Sequence, residues 1–125
     1  MGGGGAVIFH KYHHPDGFIE DCVVLFQQRS GWATPFGSID REDASSIDGA
    51  IREVAEETAG TVRLGPSEAY AQLLVPNARG RNPHLLLLTT RSGMSRREFH
   101  EALKTCKTEK KSRCWLESTN MTFVP

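Results

Sequence analysis

Cysteine is scarce: three in 125 residues, Cys22, Cys106 and Cys114, an odd number with no CxxC pair. That argues against a disulfide framework or a Cys-rich zinc module and favours a reducing compartment, the cytoplasm being the expected location. Long apolar runs are missing as well. Cys22 to Phe26 and Leu85 to Leu88 are the longest, far short of the ~20 residues of a membrane helix, so a membrane-spanning chain is excluded. There is no excess of one charge, because fifteen Lys+Arg offset fifteen Asp+Glu. No net field draws the chain to nucleic acid or to an anionic bilayer, and neither bulk nucleic acid nor membrane is an expected partner. The start, Met1-Gly2-Gly3-Gly4-Gly5-Ala6, lacks the basic and apolar regions of a signal peptide. Ala6 stands where a myristoylation signal has Ser or Thr. Residues 1–5 read as a flexible, Gly-rich lead-in.

What is present describes an ordinary globular chain. The 38% hydrophobic and 24% charged fractions fit a folded domain, and the length fits a single one over residues 1–125. Ala6 to Phe9 and Phe18 to Gln28 read as strands joined through the turn signal Pro15-Asp16-Gly17, a β-hairpin. Trp32 to Phe36 reads as a short strand ended by Gly37-Ser38. Ile47, Ala50, Ile51, Val54, Ala55 and Thr58 recur at helical spacing, with Ser45 or Ser46 as cap and Gly60 as left-handed stop. Ala69 to Val75 and His84 to Thr90 read as strands around a loop from Pro76 to Pro83. Ser95 and Glu98 form a capping box, Met94 and Phe99 are placed for a staple, and Phe99, Ala102, Leu103 and Cys106 make the stripe of a second helix. Arg113 to Glu117 reads as a last strand around Trp115. Alternating strands and helices predict an α/β domain.

The chemistry concentrates in Arg52-Glu53-Val54-Ala55-Glu56-Glu57-Thr58-Ala59-Gly60. Glu53, Glu56 and Glu57 share one arc of the helix, on nearly the opposite side from the apolar stripe. Glu53 and Glu57 repel at i,i+4, a cost of about 0.2–0.5 kcal/mol. All three crowd the C-terminal half, where the macrodipole disfavours anions. A divalent cation removes the conflict: carboxylate oxygens suit Mg²⁺ or Mn²⁺, which leave their other positions to water and phosphate. By spacing alone, a solvated acidic face accounts for them too.

Around this helix the sequence resembles the Nudix hydrolase family, whose signature is a glycine, five residues, a glutamate, seven residues, then Arg-Glu-apolar-x-Glu-Glu-x-Gly-apolar. The stretch Gly37 to Gly60 is similar, and Trp32-Ala33-Thr34-Pro35 is similar to the Trp-x-x-Pro often found upstream. Counted back from Arg52, the signature's glycine and glutamate fall on Ser38 and Ala44, whereas Gly37 and Asp43 keep the Gly-x5-acid relation one residue earlier. The closing glycine is one residue late, with Ala59 in its place. A one-residue insertion before the helix and loss of the first glutamate both account for the slip.

The resemblance implies an α/β/α sandwich around a mixed sheet. It implies metal binding by Glu53, Glu56 and Glu57, and by the carbonyl of Gly37, with Mg²⁺ or Mn²⁺ as cofactor. Arg52 would orient a glutamate, and Glu57, Glu101 and Glu117 are candidates for the general base. The implied reaction is hydrolysis of a diphosphate linkage in a nucleoside diphosphate derivative or a related small molecule, diphosphoinositol polyphosphates included. The alternative is a weak or inactive Nudix-like module that binds a nucleotide or a protein partner. Candidate phosphate contacts are Arg29, Arg79, Arg81, Lys110 and Lys111, within basic runs that also hold Lys104, Lys107 and Arg113. A homodimer stays open. His10, His13, His14 and Cys22 fit no standard zinc spacing, and the histidines read as surface residues. Cys106 and Cys114 read as ordinary buried or half-buried thiols.

Overall fold

The computed structural model describes residues 2–65, 67–80 and 82–125. Its strands are β1 (Gly3–His13), β2 (Ile19–Gln28), β3 (Gly31–Ala33), β4 (Phe36–Ser38), β5 (Ala71–Val75), β6 (His84–Arg91) and β7 (Asn120–Val124). The helices are α1 (Ser46–Glu57) and α2 (Arg96–Thr108), and Arg113–Leu116 forms a 3-10 turn. Among the described residues, no helix is long and apolar enough to cross a membrane.

The hairpin forms in the register Phe9↔Val23 to His13↔Ile19. The second half of β2 then leaves β1 to pair with β3 on one side and β7 on the other. On its far edge β1 runs parallel to β6, which pairs antiparallel with β5, so the sheet is mixed. Period-2 alternation sends Ala6, Ile8, Val24, Phe26, Leu85 and Leu87 to one face, where they join Ala50 and Val54 of α1 and Phe99, Leu103 and Cys106 of α2 in a single core. The opposite face carries Val7, Phe9, Val23, Leu25, Leu86 and Leu88, all half-buried. This mixed sheet with flanking helices is the expected α/β class.

Several boundaries differ from expectation for identifiable reasons. Gly3, Gly4 and Gly5 are not a lead-in but the buried first half of β1, paired with Ser38, Gly37 and Phe36 of β4 and with β6. The glycines let neighbours come close: a Cβ at Gly4 would lie 3.0 Å from that of Ala50, and one at Gly5 would overlap the Pro35 carbonyl. The stretch Trp32 to Phe36 is two strands, because Thr34-Pro35 interrupts them. Arg113–Leu116 is a 3-10 turn rather than a strand, and the last strand follows it at Asn120–Val124. His10 is buried: its Nε2 accepts from the Met94 amide at 3.2 Å, and its ring lies 4.7 Å from that of Phe123. Cys114 is exposed.

Both helices begin as read. Ser45 Oγ accepts from the Asp48 amide and Ser95 Oγ from the Glu98 amide, each at 3.1 Å. Both end in Schellman pairs of hydrogen bonds: the Gly60 amide donates to Ala55 O and the Ala59 amide to Glu56 O, as Lys111 does to Cys106 O and Lys110 to Lys107 O. The left-handed position usually given to glycine is held by Ala59 (φ 53°) and by Lys110 (φ 56°). Gly60, one residue on, also has positive φ (81°).

Candidate functional site

Helix α1 lays its glutamates against β4 and the ends of β2 and the 3-10 turn. Glu53 is 7% and Glu57 4% exposed, so the arc does not face solvent as the helical wheel suggests. It adjoins the core stripe instead of opposing it, and β4 and the C-terminal segment cover it. Room for Glu53 comes from Gly37, where any Cβ would overlap its carboxylate. Ala6 N donates to Pro35 O at 3.0 Å, so by ladder alternation Gly4 and Gly37 form a hydrogen-bonded pair. The Gly37 carbonyl pairs with β1 through one of its two lone pairs, and the missing side chain gives Glu53 its space.

Arg52 organises the approach to α1. Its Nε and Nη2 fork onto Asp43 at 2.9 Å each, and Nη2 also donates to the Ser38 carbonyl at 3.0 Å. Nη1 reaches Glu53 at 3.1 Å and Glu56 at 3.2 Å, and Asp40 lies 3.3 Å from Nη2. The fork holds the Asp43 carboxyl below its ordinary range and the guanidinium above its own. Asp43, not Ala44, is therefore the acid that faces Arg52. The extra residue is absorbed in the turn before the Ser45 cap, which is the insertion reading of the slip.

One guanidinium thus serves four carboxylates, and among the described residues no cation contacts Glu57. Its Oε2 accepts from Gln28 Nε2 at 2.8 Å and from Ser118 Oγ at 3.2 Å, with Glu117 beside it. Burial first, then the Glu117 charge, pushes its carboxyl up to about 8. Burial likewise lifts Glu53 to about 7, against the pull of Arg52 and with the push of Glu56. Among the described residues, no three acidic, His or Cys side chains converge as a ready cage. Glu53 and Glu56 lean to Arg52, whereas Glu57 leans to Gln28. The donors are nonetheless all hard oxygens with too little internal positive charge, a set that suits Mg²⁺ or Mn²⁺.

Next to Glu57 opens a cleft of about 610 Å³ lined by Gln28, Arg29, Ser30, Arg113, Leu116 and Glu117. It brings together two of the expected residues, Arg29 and Glu117, and adds Arg113. A hollow of similar size, between Phe9, Lys11, Tyr70 and Arg91, contains none of the α1 glutamates. Glu101 is on the exposed side of α2, paired with Arg97 at 3.3 Å, so it does not join the cluster. Arg79 is exposed in the β5–β6 loop. The base of that loop, Asn82 and Pro83, lies by Ser45–Ile47 at the opposite end of α1 from Glu57. Lys110 is exposed in the turn after α2, and Lys111 holds its Nζ 5.2 Å over the Trp115 ring, which Arg63 also approaches. Arg81 is outside the described residues. Sequence reasoning missed Gln28 and Ser118, and no local signal marks them, since they meet Glu57 from 29 and 61 residues away.

A model of the NUDIX domain matches residues 11–121. The mRNA decapping complex subunit 2 of Schizosaccharomyces pombe is 33% identical over 100 residues, which cover 68% of this chain and 13% of that protein. The chain thus spans about an eighth of that relative's length. Among solved structures, a C. elegans Ap4A hydrolase binary complex superposes with TM-score 0.56 at 16% identity, over 98% of this chain and 77% of the other. The NUDIX domain of Shewanella oneidensis NrtR complexed with ADP ribose gives 0.52 at 19%, over 98% and 71%. A MutT/nudix family protein from Enterococcus faecalis gives 0.57 at 18%, over 97% and 42%. At these identities the superpositions speak for the fold. With the domain match running through the glutamate helix and both walls of the cleft, the chain belongs to the Nudix family.

Proposed function

We infer that the protein is a divalent-cation-dependent hydrolase of a diphosphate linkage in a nucleoside diphosphate derivative or a related small molecule. The observation that carries this reading is Glu57: a buried carboxyl held by two neutral donors beside a second carboxylate, directly behind Gln28 and Glu117, which line a cleft with two arginines. Removing charge from water without a counter-ion is costly, which is why Glu57 keeps its proton up to about 8; a cation from outside the chain would displace that proton and stabilise the carboxylate. Glu53, Glu56 and Glu57 would hold Mg²⁺ or Mn²⁺. When bound, such an ion offsets the charge that grows on phosphate oxygens and lowers the pKa of water.

The chain's own residues do the rest. Arg29 and Arg113 offer planar forks for two phosphate groups across the cleft. Arg52, fixed by Asp43 and the Ser38 carbonyl, orients Glu53 and Glu56 from behind. Gln28 and Ser118 fix one oxygen of Glu57. The proton of the attacking water is accepted within the Glu57–Glu117 pair, which replaces the wider choice that included Glu101.

The test is a panel of nucleoside diphosphate derivatives, dinucleoside polyphosphates, capped RNA and diphosphoinositol polyphosphates, with Mg²⁺ or Mn²⁺ and an EDTA control. Hydrolysis of at least one compound, lost in EDTA and in Glu57→Gln, is expected. Cation-independent binding of a nucleotide, without turnover and unchanged in Glu57→Gln, would instead establish the module reading.

A further inference from the structure

The hairpin end of the sheet holds a row of rings that the core does not absorb. Beyond the buried His10, Phe123 lies 5.4 Å from Tyr12, Tyr12 4.9 Å from His14 and His14 5.4 Å from Phe18. Phe123 and His14 are half-buried, whereas Tyr12 is 37% and Phe18 59% exposed. Tyr12, His14 and Phe123 line a hollow of about 450 Å³ together with Glu20, Cys22 and Arg96. Its cation is fixed without being cancelled. Arg96 donates through Nε to the Met121 carbonyl at 3.1 Å and through Nη2 to the Thr122 hydroxyl at 3.2 Å. Both acceptors are neutral, and among the described residues no carboxylate pairs with it. The adjacent Arg97, by contrast, is paired with Glu101 in solvent. Glu20 gives Oε1 to His14 Nε2 at 3.1 Å, and among the described residues nothing bonds to its Oε2. Packing of a hairpin accounts for the rings but not for a pinned guanidinium beside them.

We propose that this hollow is a second ligand site, the seat of one nucleotide, with the base on Tyr12 and the phosphate on Arg96. Its groups match the parts of that ligand. A base offers a π face that stacks on tyrosine and histidine rings. Its exocyclic amine is a donor for Glu20 Oε2. A guanidinium with no acid of its own forks onto phosphate oxygens. An apolar peptide in the same place would cover Arg96 and Glu20 without partners, which costs their hydration. The volume lies within the range of small-molecule sites, about 300–1,000 Å³. This seat is separate from the cleft beside Glu57. From Glu20 to Gln28, which touches Glu57, β2 runs eight residues, about 26 Å at ~3.3 Å each. The balanced net charge supplies no field along a polyanion, so recognition is local. The base and phosphate come from a free nucleotide or from one residue of single-stranded RNA.

Isothermal titration of the full chain with AMP in EDTA tests this, with circular dichroism to confirm folding of each variant. The expected result is a Kd below ~1 mM that rises at least about fivefold in Tyr12→Ala and recovers in Tyr12→Phe. Arg96→Gln should bring AMP down to the affinity of adenosine. Adenosine and ribose 5-phosphate each lack one half of the ligand and should bind at least about fivefold more weakly than AMP. These two compounds probe the unaltered protein, so they decide the matter even if Arg96→Gln disturbs β7. Hexa-adenylate that binds more tightly than AMP identifies RNA as the source, and equal binding identifies the free nucleotide. No binding of AMP at ~1 mM, an affinity indifferent to Tyr12→Ala, or adenosine binding as tightly as AMP overturns the proposal.

Discussion

Helices α1 and α2 have 12 and 13 residues, each starts on a serine cap, and each ends in a left-handed turn without glycine at its centre. In α2 the charges follow the helix: Glu98 sits in the first turn, Lys107 in the last, and the paired Arg97 and Glu101 stay in solvent. In α1 the last turn has no basic residue, and two of its three late glutamates are buried. The two helices share a frame and differ where carboxylates are placed against the rules of helix stability. Departure from those rules, more than the presence of charge, is what singles out α1 as the candidate site.

The strongest way to break this comparison is to make the same change in both helices. Glu57→Gln should lower the hydrolysis rate by about 10²–10⁴-fold, whereas Glu101→Gln should leave it unchanged, read as initial rates on the best substrate of the panel. Equal effects would mean that the two acidic faces are alike. Next come the arginines. Arg52→Ala strands the Asp43, Glu53 and Glu56 carboxylates, at a cost of about 2–4 kcal/mol in urea unfolding without metal. Arg97→Ala breaks only an exposed pair and should cost almost nothing.

The pH dependence sharpens the contrast further. Glu53 and Glu57 titrate near 7 and 8 in the fold, above the ordinary value of 4.5, so the native state holds their protons more tightly than the unfolded chain does. Their contribution is fully present below about 4.5 and is lost as pH rises through 7 to 8. In EDTA the Tm should therefore fall across that window, and Glu53→Gln with Glu57→Gln should flatten the fall. Asp43 has the opposite sign: its stabilisation is present above the ordinary aspartate range and fades in acid. The smallest effects are in the caps. Lys110→Gly relieves a left-handed side chain in solvent and should stabilise by about 1 kcal/mol. Ala59→Gly gains less, because it gives up a buried methyl that contributes about 0.8 kcal/mol.

What the sequence disclosed depended on the range of the interactions. Helical spacing, the Ser45 and Ser95 caps and the Pro15-Asp16-Gly17 turn are local, and they stand in the fold where they were read. The glutamate arc was legible for the same reason, but its burial was not, since β4 and Ser118 reach it from elsewhere in the chain. The slipped register looked like a defect in one dimension. In three dimensions the turn before α1 absorbs a residue and Asp43 still meets Arg52. Gly3 to Gly5 were misread because glycine carries no pattern. Their order comes from Phe36, Pro35 and Ala50 pressing where side chains would have been.

The parallel pairing of β1 with β6 has a consequence for synthesis on the ribosome. β1 can close its hairpin with β2 soon after both emerge, yet its other edge waits for residues 84–91, and the Gly3 amide finds His84 Nδ1 only 81 residues later. At roughly 5–20 residues per second, several seconds pass with the central strand of the sheet half-paired and Ala6, Ile8 and Phe9 uncovered. In that interval the open edge of β1 and its apolar side chains favour aggregation of the nascent chain. Slow codons between β2 and β6 would lengthen that exposure, whereas slow codons after β6 would hold back α2 and β7, which complete the core and the edge of β2.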